Sequence, residues 1–283
     1  MSDDFHSSLT MNNEQFVRRM GSFRETISEE FRPSWLKLTT ITMISSYLRD
    51  KGVILNHDRL KKLFYKIRYI TTTRGGGAGG CEAFKWRIFY GKTEFYNQVT
   101  IGYQDSLSTK KVKIFPNGSL QIAGCADISD CKRFIEQLQV ILNLVYSVQV
   151  PMSSFRVVMI NSNFSLNHFI NLMNVIDVFG QNDEYKICFD PDRYSAVKMK
   201  FKPIKTGKQI TTSIFASGSI IITGAENMGE VVEAYVQIVS TLLSMKGVYV
   251  DKNPTTKNFD YFEGYKYSSW FSKIMSDDTN NVV

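Results

Sequence analysis

The chain has 283 residues, 43% hydrophobic, 22% charged and 13% aromatic, with a formal net charge of +7. That balance excludes a disordered chain, and no apolar run approaches the roughly twenty residues that span a bilayer. Four cysteines (Cys81, Cys125, Cys131, Cys188), without Cys-x-x-Cys spacing or neighbouring histidines, argue against a structural zinc site and for a reducing compartment, while the positive charge fits a polyanion partner or a solvated basic surface.

Residues 1–32 begin polar, unlike a secretory signal, and carry a charged stretch of helical character, NEQFVRRMGSFRETISEEF. A β-rich run, SWLKLTTITMIS (34–45), leads to a helical pattern, HDRLKKLFYKIR (57–68). TRGGGAGGC (73–81) holds a Gly-x-Gly-x-x-Gly at Gly75, Gly77 and Gly80. A helical pattern precedes it and the strand-like EAFKWRIFY follows, the reverse of a dinucleotide fingerprint, so it reads as a flexible inserted loop. FYNQVTIGYQ (95–104) is strand-like, and KIFPNGSLQIAGC (113–125) reads as two strands joined by a hairpin at Asn117-Gly118. A helix follows, with Phe134, Leu138, Ile141, Leu142 and Val145 at helical spacing.

The chain then says nearly the same again. SFRVVMINSNFS (154–165) parallels 34–45, and SLNHFINLMNVIDVF (165–179) parallels the first helix. RYSAVKMKFK (193–202) parallels 95–104, and IFASGSIIITGA (214–225) parallels IFPNGSLQIAGC (114–125), placing Phe115 and Phe215 one hundred residues apart. Val232, Tyr235, Val236, Val239 and Leu243 stripe the closing helix. A repeat of this length is a half-domain, not a solenoid unit. Each half reads strand, helix, four strands, helix, so the fold class is α+β with helices on one face of an antiparallel sheet. Alternation puts Leu120, Ile122, Ile220 and Ile222 beneath helices, and Gln121, Ala123, Ile221 and Thr223 on the open face. The expected divisions are an N-terminal extension (1–32), two repeats (33–150 and 151–250) and a C-terminal extension (251–283). Within the last, NFDYFEGYKYSSWF (258–271) is too aromatic for a linker and either covers apolar surface or docks a partner. His6, His57 and His168 have no catalytic or metal-ligand spacing, so nothing argues for an enzyme, a cofactor or a metal.

SIFASGSIIITGAE (213–226), with the repeat layout from about Trp35 to Val250, closely resembles the signature in each half of the TATA-box-binding-protein core. The lysine-, asparagine- and isoleucine-rich chain is similar to divergent members of that family from large DNA viruses. The resemblance implies a pseudo-symmetric saddle, two repeats each with a curved antiparallel sheet backed by two helices. It implies a transcription initiation factor that binds and bends A·T-rich double-stranded promoter DNA through the minor groove. A factor-IIB-like protein and RNA polymerase would be its partners. Its location would be the nucleus or, for a viral chain, a cytoplasmic virus factory or virion.

Carried over by the resemblance, the aromatic wedges are Tyr96, Phe115, Tyr194 and Phe215, which otherwise read as ordinary sheet residues. Concave-face contacts fall on Leu38, Thr40, Gln121, Ala123, Met159, Asn161, Ile221 and Thr223. Leu38 and Met159 stand where the family has asparagine, and neither donates to the acceptors of the minor-groove floor. Ala123 replaces a threonine, and Ser119 and Ser219 replace lysines. These departures favour shape-driven preference for deformable DNA over strict TATA reading. They also leave open a scaffold that keeps the saddle without reading DNA. Lys111, Lys113, Lys198, Lys200 and Lys202 fall on or beside the concave face, as phosphate contacts or as a solvated, aggregation-blocking edge. DPDR (190–193) occupies the place of the family's factor-IIB-docking loop, assigning Asp190, Asp192 and Arg193 to that partner; a Pro-containing surface turn is the plainer reading.

Overall fold

A computed structural model describes residues 11–66, 69–72, 82–88, 97–104, 109–203, 208–255 and 259–280. The first elements are α1 (Asn13–Glu25), β1 (Lys37–Ser45), a single turn α2 (Tyr47–Asp50), α3 (His57–Lys66), β2 (Tyr69–Thr72) and β3 (Glu82–Ile88). β4 (Val99–Gln104), β5 (Thr109–Ile114), β6 (Leu120–Cys125) and α4 (Ile128–Tyr146) follow. Then come β7 (Arg156–Ser165), β8 (His168–Ile170), α5 (Leu172–Gly180), β9 (Lys186–Asp190), β10 (Tyr194–Phe201), β11 (Ile210–Phe215), β12 (Ser219–Ala225) and α6 (Met228–Ser244). The chain closes with β13 (Tyr249–Lys252), β14 (Tyr261–Phe262), β15 (Tyr265–Lys266) and α7 (Tyr267–Asn280). Among the described residues no helix is long and apolar enough to cross a membrane.

The described chain forms two compact units, one of Thr40–Val158 and one of residues 11–39 with 159–280. In the first, strands pair antiparallel in the order β2-β3-β4-β5-β6-β1. α4 packs on β6, and its Phe134, Leu138, Ile141 and Leu142 are buried together with Val112, Ile114, Leu120 and Ile122. The expected apolar stripe is therefore the core face, apart from Val145, whose side chain lies outside the described residues. β2 is a strand the periodicity does not predict. Its β-branched Ile-Thr-Thr run pairs with β3 from Tyr69↔Lys85 to Thr72↔Glu82. The glycine-rich loop that follows β2 lies outside the described residues.

In the second unit the order is β7-β12-β11-β10-β9, again antiparallel. α6 covers β12, and α5 covers β9 and β10. The helix expected over 165–179 begins later. The Asn171 carboxamide caps it, accepting from the N–H groups of Met173 and Asn174 at 3.1 and 3.3 Å. The residues before the cap form β8, paired with β13.

Both hairpins close as read. Gly118 and Gly218 have φ of 85° and 80°, and their N–H groups donate to the carbonyls of Phe115 and Phe215 at 3.0 and 2.9 Å. The terminal extensions form a layer on the second unit. α1 opens with a capping box between Asn12 and Gln15 and packs against both α6 and α7. Arg19 pairs with Glu233 of α6 at 2.6 Å. Trp35 stacks on Tyr267 at 4.7 Å, and the Tyr267 hydroxyl donates to the Leu36 carbonyl at 2.8 Å. Of the two readings of the aromatic tail, covering apolar surface describes Phe262, Tyr267 and Ile274, all buried.

Candidate nucleic-acid interface

Each sheet packs one face against helices, and pairing register says which side chains share the other, because directly opposed residues project to the same side. In the first unit one row runs Thr100, Lys113, Gln121, Ile44, and the next runs Gly102, Lys111, Ala123, Thr42. Lys111 is exposed, and Lys113, Gln121, Ala123 and Thr40 are half-buried. Phe115 directly follows β5 and is half-buried, held at the hairpin by its N–H donating to the Ser119 carbonyl at 3.0 Å. Its expected companion, Tyr96, lies outside the described residues.

The second unit is more complete. One row runs Lys186, Lys200, Thr211, Thr223, and the next runs Cys188, Lys198, Ser213, Ile221, Asn163. Lys198 and Lys200 are exposed, whereas Met159, Asn161, Ile221 and Thr223 are half-buried. The Thr223 hydroxyl donates to the Thr211 carbonyl at 3.3 Å. Tyr194 and Phe215 meet edge to face, ring centroids 5.6 Å apart at 67°, the geometry favoured by aromatic quadrupoles. Tyr194 is 36% exposed, and the Lys198 ammonium sits 4.4 Å from its ring centroid, a cation–π contact that leaves the cation open to solvent.

Three expectations change. Leu38 is only 6% exposed, so it is a buried residue rather than an open-face contact; the two residues before it are held by the C-terminal extension, Leu36 through the Tyr267 hydroxyl and Lys37 through its ammonium 5.6 Å from the Phe259 ring. Lys202 is exposed but lies past the end of β10, and so is not in a sheet row. Alternation from Tyr194 also fails locally: the register shifts between Tyr194 and Lys198, and Ala196 and Val197 are both buried.

Asn163, Thr211 and Ser213 belong to the open face although the motif does not point to them; stepping by two from Asn161 along β7 reaches Asn163. The side-chain oxygens of Asn161 and Asn163 are buried without a hydrogen-bond partner, an uncommon arrangement for an amide. Asp190, Asp192 and Arg193 are exposed on the turn between β9 and β10. There the Arg193 guanidinium reaches the Asp190 carboxylate at 3.4 Å.

Residues 154–245 match the model of the family described as transcription factor TFIID (or TATA-binding protein, TBP). A curated protein described as "TATA-box-binding protein-like", from Acanthamoeba polyphaga mimivirus, is 26% identical over 275 residues, covering 84% of this chain and 72% of its own. The solved TBP of Methanococcus jannaschii aligns over 75% of this chain and 99% of its own, at 12% identity and a TM-score of 0.47. The chain is thus similar to TATA-box-binding proteins, with the family match lying in its second repeat.

Proposed function

We propose that the protein is a transcription initiation factor that seats A·T-rich duplex DNA on the open faces of its sheets and bends it through the minor groove. The observation that carries this reading is the Tyr194–Phe215 pair, two aromatic edges at one end of an open sheet face, the equipment needed to pry apart a base step. Lys111, Lys113, Lys198 and Lys200 supply sequence-blind attraction to phosphates. The carboxamides of Asn161 and Asn163 and the hydroxyls of Thr211 and Thr223 supply polar groups for the groove floor. Met159, Ile221 and Ala123 offer it only apolar contact, so the preference is for deformability more than for a strict base sequence. The Asp190–Arg193 turn is the docking point for a factor-IIB-like protein, through which RNA polymerase is recruited.

End-to-end energy transfer on duplexes labelled at both ends tests the proposal. A·T-rich duplex should shorten at low salt and G·C-rich duplex much less, and Phe215→Ala should lose most of the shortening. No change on either duplex sinks the bending mechanism. It would favour the alternative, a protein-interaction scaffold, which the apolar members of the open face also suit.

A further inference from the structure

The C-terminal extension does more than cover apolar surface. Four rings form a column of nearly parallel planes: Trp35 on Tyr267 (4.7 Å, 0°), Tyr267 on Phe262 (5.4 Å, 10°) and Phe262 on Trp270 (6.1 Å, 20°). The inner three are buried, so the column fixes the plane of the last. Trp270 is half-buried and, with Tyr265, Lys266, Ser269 and Lys273, lines an open recess of about 440 Å³, within the usual range of ligand pockets. Tyr265 is 65% exposed and lies 5.5 Å from Trp270. Tyr265 therefore presents its ring to solvent beside an indole whose plane the column fixes.

The recess has one sign of charge. Lys266 is bound only loosely to Asp260, at 3.8 Å, and among the described residues Lys273 has no ion pair. Flat rings that extend a stack, edged by the ammonium groups of Lys266 and Lys273, match a nucleobase on one side and its phosphates on the other. We infer that this recess binds single-stranded nucleic acid, a base continuing the ring column at Trp270 beside Tyr265 while Lys266 and Lys273 meet the flanking phosphates. The site lies outside the sheet faces and does not depend on their bending DNA.

The test uses the full chain and a labelled single-stranded thymidine oligonucleotide at low salt, read by anisotropy and tryptophan quenching. Binding is expected. Tyr265→Ala should weaken it about tenfold, the order of one lost base–aromatic stack, and Lys273→Gln should lower the salt slope by about one. Tyr265 and Lys273 are surface residues, so both variants should fold, and both should bend duplex DNA like the parent. Phe215→Ala should bind the oligonucleotide normally while losing the bend. Absence of oligonucleotide binding overturns the inference, as does binding indifferent to both recess variants. Capture of a proline-rich peptide at Tyr265 and Trp270 in place of the oligonucleotide also overturns it.

Discussion

β5 and β11 occupy the same place in their sheets, yet the first presents Lys110 to its helix-covered face where the second presents Ile210, and both side chains are fully buried. The Lys110 ammonium lies 2.8 Å from the Asp130 carboxylate on α4, which Arg133 also reaches at 2.6 Å and to which the Ala126 N–H donates at 2.9 Å. One hundred residues on, Glu230 accepts from the Glu226 N–H at 2.6 Å, opposite an apolar core. The backbone contact is thus common to both repeats, and the second repeat has Ile210 where the first buries Lys110. The carboxylate's general task is to finish the helix start, as does the side chain at the cap, where Asp127 and Asn227 accept from the N–H groups of Asp130 and Glu230 at 2.7 and 2.9 Å. The ion pair is a local addition to the first core. Burying it costs solvation that its geometry must recover.

The largest effect should come from removing that carboxylate. Asp130→Ala strips Lys110 and Arg133 of a shared partner and the Ala126 N–H of its acceptor, and should cost about 3–5 kcal/mol, the range for breaking a buried ion pair. Glu230→Ala removes the backbone contact without stranding a buried lysine and should cost about 1–2 kcal/mol. Urea titrations of the two variants decide it; equal losses would mean that the pair adds nothing beyond the cap.

A second contrast lies at the ends of β6 and β12. Gly124 and Gly224 have φ of 105° and 95°, and the kink turns Cys125 and Ala225, both fully buried, back towards the core. A Cβ on Gly124 would fall 2.6 Å from the Thr109 carbonyl oxygen, whereas one on Gly224 would meet nothing nearer than 3.6 Å. Gly124→Ala should therefore cost about 3 kcal/mol, strain plus collision, and Gly224→Ala only the strain, about 1–2 kcal/mol. Thermal melts that put Gly224→Ala at or below Gly124→Ala would break the comparison.

These positions also mark how far the sequence could be read. Period-two alternation places Leu120, Ile122, Ile220 and Ile222 under helices, and Lys111, Lys113 and Gln121 opposite, because a half-buried strand writes its faces into every second residue. It fails where a bulge inserts a residue, as at Gly124, Gly224 and the start of β10, since local hydrophobicity does not encode the slip. Lys110 falls on the buried side by the same alternation, yet nothing nearby names Asp130, twenty residues later, as its partner. The duplication exposes the hairpins at Phe115 and Phe215, where two copies agree. It is silent on Leu38 and on the ring column at Trp270, because both depend on terminal segments that have no counterpart in either repeat.

The smallest effect concerns the caps themselves. Burial pushes the Asp127 carboxyl above its ordinary 3.8, outweighing the hydrogen bond from the Asp130 N–H and the attraction of Arg133 and Lys110. Folding therefore disfavours the charged form. The penalty is in full force above the folded pKa, shrinks as pH falls through it and is gone below 3.8, where both states are protonated. Asp127→Asn keeps a good cap, the one the second repeat uses at Asn227, and escapes the penalty. Asp127 is only partly buried, so solvent screening holds the gain to about 0.5 kcal/mol at pH 7. Chemical denaturation at pH 7 and near pH 4 should show that gain at the higher pH and its decline at the lower. A gain that does not change with pH would assign the difference to the amide's hydrogen bonding, and a loss at pH 7 would mean that Lys110 and Arg133 need the Asp127 charge.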